Sequence, residues 1–227
     1  MDQKDKTPEK NAPSKSEEST VIPMEDNKTD KTKIKKEAVK TDESDTEKEK
    51  NNTKQQNMKS KNSQTDLGKF FLDALQDIYY AEAKIEESLA KIKHKATSEE
   101  LQEALEDHEL VTKKQILRLE KIFKHLGEEA KKKKCDAIDG ILKEVDEMVK
   151  NTEDGSMTRD VAIIIGSQKV EHYEIATYGG LVQIAITLGH EKVADLLETT
   201  LDEEEETDFL LTEIAEEHVN FDAAEEK

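Results

Sequence analysis

A hydrophobic core can form in only one part of this chain. Residues 1–64 hold no aromatic side chain and, beyond Val21, Ile22, Ile34 and Val39, almost no large apolar one. All four Tyr and all five Phe follow Lys69. The first segment is built from Lys, Glu, Asp, Ser, Thr, Asn and Gln, with prolines at Pro8, Pro13 and Pro23. Such a composition cannot bury enough apolar surface to offset the entropy lost on ordering. We therefore expect a disordered tail over 1–64 and one folded domain over 65–227.

Charge divides at the same boundary. The tail carries 15 basic and 14 acidic residues, close to neutral, while the remainder carries 20 basic and 40 acidic. A domain this acidic repels phosphate backbones, which argues against a nucleic-acid partner. The same field draws cations to the surface. The single cysteine, Cys135, cannot form an internal disulfide. No apolar segment follows Met1 and no 18-residue apolar stretch occurs, so we expect a cytoplasmic protein without a membrane partner.

From residue 65 onward apolar side chains recur at three- and four-residue spacing, the period of an amphipathic helix. A first helix is expected over about 65–94, on the stripe Leu67, Phe71, Ala74, Ile78, Ala81, Ile85, Leu89 and Ile92, with Thr65 or Asp66 as its cap. A second begins at Thr97, whose spacing to Glu100 reads as a capping box, and ends at Gly127. A third covers about 158–188 and stops at Gly189, and a fourth about 191–219. Between the hairpins a short amphipathic segment with Ile138, Ile141, Leu142, Val145 and Val149 reads as a crossover helix. No segment alternates with period two. The class is all-α: two tight antiparallel hairpins and one long crossover, the topology of a ferritin-like four-helix bundle.

The apolar stripes are interrupted near mid-helix by polar residues. Measured from turns near residues 96 and 190, Glu82 lies about 14 residues before the first and His108 about 12 after it. Glu171 lies about 19 before the second and Glu204 about 14 after it, continuing the stripe Val193, Leu197, Leu201. Ionised groups at one level of a core are costly unless something compensates them, and a cation does so. Three carboxylates and an imidazole suit iron, manganese or zinc. Glu171 and His172 are adjacent and cannot both face fully inward, so Glu171, at helical spacing from Gln168, is preferred, with Glu174 next. Asp208 lies one turn beyond Glu204. Tyr79, Tyr80, Tyr173 and Tyr178 fall near the same level, and His94, His125, His190 and His218 fall near helix ends.

The stretches FFLDALQDIYYAEAKI, KATSEELQEALEDHE, RLEKIF, KKCDAIDGIL, QKVEHYEIATYG and LLETTLDEEEETDFLLTEIA carry a resemblance. In that order, over about residues 66–217, the chain resembles the YciE/YciF family of ferritin-like, stress-associated bacterial proteins. The resemblance implies a metal-binding, often dimeric protein of the stress response, without an assigned reaction. It implies ligands at Glu82, His108, Glu171 and Glu204, with Asp77, Glu174 and Asp208 as alternates. Iron, as one ion or a pair, is the implied metal, possible chemistry being oxidation of Fe(II) by peroxide or dioxygen. Relatives tend to follow the second-helix histidine with glutamates, whereas Val111 stands three residues after His108 here. That departure favours a single ion or a weaker second one. The rival expectation is a non-enzymatic dimeric stress module, with the crossover helix and apolar surface positions such as Ile163 supplying a dimer face.

Overall fold

The computed structural model describes residues 65–227, so the expected tail over 1–64 lies outside the described residues. The helices are α1 (Asp66–Ile92), α2 (Glu99–Leu126), α3 (Asp136–Lys150), α4 (Met157–Thr187), α5 (Glu191–Ile214) and a short α6 (Asn220–Glu225). A π turn, Ala215–Val219, joins the last two. Among the described residues there is no strand, and no helix is long and apolar enough to cross a membrane.

Local chemistry sets the helix ends. The Thr65 hydroxyl accepts from the Gly68 amide at 3.0 Å to start α1. Gly127 and Gly189, at φ +76° and +73°, end α2 and α4 in the left-handed conformation that an L side chain resists. The start of α2 departs from the expected capping box. Ser98, not Thr97, is the cap, its hydroxyl accepting from Leu101. The reason is tertiary: the Thr97 and Ser98 amides both donate to the Asp160 carboxylate, at 2.8 and 2.7 Å. Asp160 thus ties the first hairpin turn to the beginning of α4.

An amide at that position would turn an NH₂ group toward one of the two donors. Asp160→Asn should cost about 1–3 kcal/mol. For a domain of this size that is a fall in melting temperature of about 3–10 °C, read from a thermal melt. An unchanged melt would show that the tie carries no stability.

The four long helices form a ring. α1 packs on α2 and α4, α5 packs on the same two, and α3 lies against α4 and α1. Phe71, Leu75, Ile78, Leu101, Leu119 and Ile122 are among the side chains that fill the interior. α4 meets α1, α3, α5, the C-terminal π turn and α6, so its apolar surface wraps most of the way round. Ile163, expected as a surface position for a dimer face, is therefore fully buried, and Ile165 is the exposed one. The same crowding places Gly166 against Val145 of α3, where a Cβ would come within 2.9 Å of a Val145 methyl.

Candidate metal centre

At mid-height the core turns polar. Glu82 of α1, His108 of α2, Glu171 and Glu174 of α4, and Glu204 of α5 are each 3% exposed or less. They fall into two groups, His108–Glu171–Glu204 and Glu82–Glu174–Glu204, with ligand atoms in each all within 4.8 Å of one another. Glu204 belongs to both. Residues three apart share a helix face, so Glu171 and Glu174 project together from α4 and serve one group each.

His108 lies between two carboxylates, its Nδ1 3.5 Å from Glu171 Oε1 and its Nε2 3.4 Å from Glu204 Oε2. Two outer side chains each hold one oxygen of the layer. The Tyr178 hydroxyl donates to Glu82 Oε1, and the Gln115 amide donates to Glu204 Oε1. Gln115 also reaches Glu203 at 3.1 Å, which Arg118 grips through two nitrogens at 2.7 and 2.8 Å. The remaining atoms, Glu82 Oε2, Glu204 Oε2, Glu171 Oε2, Glu174 Oε1 and both His108 nitrogens, are buried without a hydrogen-bond partner. Oriented donors that hold one oxygen of Glu82 and of Glu204 and leave the other free are what a metal's outer shell supplies.

Electrostatics agree with the geometry. Burial pushes the Glu82, Glu171 and Glu174 carboxyls well above the usual carboxylate range, and the charge of Glu204 pushes all three further. Burial raises the Tyr178 hydroxyl as well, with Glu82 acting in the same direction. Buried glutamates crowded together are unstable as anions unless a positive charge sits among them, and Arg118 only partly offsets this at Glu82. Four carboxylates and one imidazole are hard-to-borderline donors that fit a divalent first-row cation, and each group offers three ligands.

The other expected residues sit at the margins. Asp208 is half-buried and pairs with exposed His172 at 3.3 Å, and its charge acts on Glu171. Asp77 pairs with Lys133 at 3.2 Å and belongs to neither group. Of the four tyrosines only Tyr178 bonds to a carboxylate of the layer; Tyr79 bonds to Glu120, Tyr80 to Asp139, and Tyr173 faces Cys135. His190 is buried and stacks on Phe71. A third group, Glu100–Glu217–His218, is exposed, and its histidine already contacts Glu100 at 2.7 Å. Sequence reasoning ranked Glu174 behind Glu171, although both are equally deep. It passed over Gln115, whose signal was its place on the α2 stripe two turns after His108.

Residues 66–224 match the family model of DUF892, a domain of unknown function. Protein YciF of Escherichia coli (strain K12) is 40% identical over 151 residues, covering 66% of this chain and 90% of that protein. The crystal structure of the E. coli stress protein YciF matches with a TM-score of 0.65 at 39% identity, over 69% of this chain and 98% of that one. YcfI of Rhodopseudomonas palustris, a proposed structural protein, matches with a TM-score of 0.64 at 40% identity, over 65% and 94% of the two chains. A protein of Xanthomonas campestris pv. campestris, 23% identical with a TM-score of 0.51 over 65% of this chain and 89% of that one, shares the fold alone.

Proposed function

We propose that this chain, which belongs to the DUF892 family and is YciF-like, holds divalent metal ions in its mid-bundle layer, iron being the working cation. The observation that carries the reading is the double membership of Glu204, which makes two three-residue groups with one carboxylate in common. Such sharing is the arrangement by which helical bundles hold a pair of ions. Glu174 supplies the second position with the carboxylate that Val111 withholds on α2.

A carboxylate-rich set with one imidazole suits iron in both its common oxidation states, and manganese or zinc would use the same donors. Bound iron would supply one-electron chemistry toward peroxide or dioxygen, consistent with a role in stress protection in the cytoplasm. The chain's own part is to exclude water with the surrounding apolar layer. Tyr178 and Gln115 aim Glu82 and Glu204, while Glu82, Glu171 and Glu174 surrender protons as a cation enters.

Exposed Phe70, Phe209 and Phe221 favour association as a homodimer, to be read by sedimentation. They also support a second reading, a non-enzymatic dimeric helical module in which the polar layer is satisfied by shared protons.

Anaerobic dialysis against Fe(II), with metal analysis and thermal melts, separates the two. Metal binding should give about two ions per chain, and chelation should lower the melting temperature by roughly 5–10 °C, the loss expected when a ligand at a hundredfold its Kd is removed. Peroxide should then oxidise the loaded Fe(II) faster than the free ion. No stoichiometric iron and no effect of chelation, with helicity intact, would hand the case to the structural module.

A further inference from the structure

Two more carboxylates flank the layer, and they are not equivalent. Asp77, on the α1 side, faces the Lys133 ammonium at 3.2 Å, and the same ammonium holds Asp73 at 2.6 Å. A cation approaching there meets a positive charge. Asp208, on the α5 side, has no such partner. Its Oδ2 lies 3.3 Å from Nε2 of His172, a ring whose side chain is 70% exposed, and its Oδ1, like that of Asp77, is buried without a hydrogen bond. Asp208 follows Glu204 by four residues, one turn along the same face of α5, while His172 directly follows Glu171 on α4. Each member of the pair thus adjoins a residue of the buried layer, and Glu171 Oε2 there is itself unpartnered on a side chain that is 1% exposed. On its outer side His172 lines an open groove with Ile141, Ile165, Gln168 and Lys169.

We infer that His172 and Asp208 form a transit site for divalent cations at the α4–α5 seam, through which ions are handed to Glu171 and Glu204. The inference rests on the metal-binding reading above. The imidazole offers a lone pair at the surface, where a hydrated ion can exchange its first water. The Asp208 carboxylate sets one oxygen against that ring and keeps the other buried and unpartnered. Two ligands hold an ion weakly enough to release it to the three-ligand groups beyond, so the pair governs rate rather than capacity. The net acidity of the domain draws cations to its surface, Lys169 at the groove being paired with Glu144 at 2.8 Å, and uptake should slow as ionic strength rises.

Stopped-flow uptake of Co(II) by the full chain, followed by its visible absorption, tests the assignment. His172→Ala removes an exposed ring and leaves the core untouched. It and Asp208→Asn should each slow loading about tenfold, the scale of a lost local steering charge or ligand, with final cobalt per chain unchanged. Asp77→Asn should load at the wild-type rate. Wild-type rates in both seam variants overturn the inference. So does lowered stoichiometry in Asp208→Asn, which would make Asp208 a resident ligand, and so does equal slowing in Asp77→Asn, which would make the effect one of general surface charge. A wild-type chain that takes up no stoichiometric cobalt fails one step earlier, at the metal-binding reading itself.

Discussion

Glu204→Ala is expected to leave a folded bundle that retains metal at neither position, whereas His108→Ala and Glu174→Ala should each retain about one ion per chain. The asymmetry follows from membership: Glu204 stands in both three-residue groups, while His108 and Glu174 stand in one each. Removing one of three ligands typically takes a site below stoichiometric occupancy, and even loss of an outer partner costs about 10–100-fold in affinity. Folding should survive because Glu204 is a liability in the empty bundle. Its charge raises Glu82, Glu171 and Glu174, and its deletion relieves all three. The Gln115 amide loses its buried acceptor but keeps Glu203 at 3.1 Å. Metal per chain after dialysis, beside far-ultraviolet circular dichroism, is the measurement. Full retention in Glu204→Ala would show that the layer is not where metal sits. Loss of both ions in His108→Ala would show that the two positions do not fill independently. Gln115→Ala should act in the same direction but more mildly, because it frees the carboxylate to swing without deleting it.

How much of this could be read in advance depended on whether one helix sufficed to state it. The stripes of α1 and α2, the glycine stops at Gly127 and Gly189, and the amphipathic crossover are properties of single segments, and they appear in the structure where periodicity places them, except that Leu67, in the first turn of α1, is 41% exposed. The six matching stretches likewise identified the family. What failed were statements needing a second element. Ser98 displaced Thr97 as the α2 cap because Asp160, more than sixty residues away, claims the Thr97 amide. Ile163 looked like a surface residue because a two-neighbour helix would leave it outside, and α4 is also covered by α3 and by the C-terminal π turn and α6. The polar layer sits between these cases. Stripe register put Glu82, His108, Glu171 and Glu204 at one height, but which pairs face each other is fixed by rotation of whole helices. Only then did Glu174 move level with Glu171, and Asp77 fall to the margin beside Lys133. Gln115 was hidden for the same reason, and Tyr178, named with three other tyrosines at that level, could not be told from them until its acceptor was known.

The metal-free protein should lose stability as pH rises from about 5 to 8, and metal should reverse the trend. Glu82, Glu171 and Glu174 have folded-state pKa values raised well above the ordinary 4.5 by burial first and Glu204 second. Below that ordinary value both states bind the protons and the groups contribute no difference. Above it the unfolded chain ionises freely while the native layer cannot, so each group withdraws stability until pH passes its raised native pKa. The slope for one such group is at most about 1.4 kcal/mol per pH unit. Three coupled groups acting over part of that range are enough to move a melting temperature by about 10 °C. Acid has the opposite effect on exposed pairs. Glu109, beside Lys113 and Lys93, is held below the usual range, and its contribution is lost as pH falls through its lowered pKa. Stability without metal should therefore peak on the mildly acidic side. Metal binding requires the same glutamates deprotonated, so affinity climbs with pH as the empty bundle weakens. Melts with a chelator and melts with excess Mn(II) should accordingly diverge steadily between pH 5 and 8. Replacing Glu82, Glu171 and Glu174 together by Gln should flatten the metal-free curve and abolish the divergence. Parallel curves in the wild type would mean that the layer stays neutral on its own shared protons, and that the cation is not what it was built to receive.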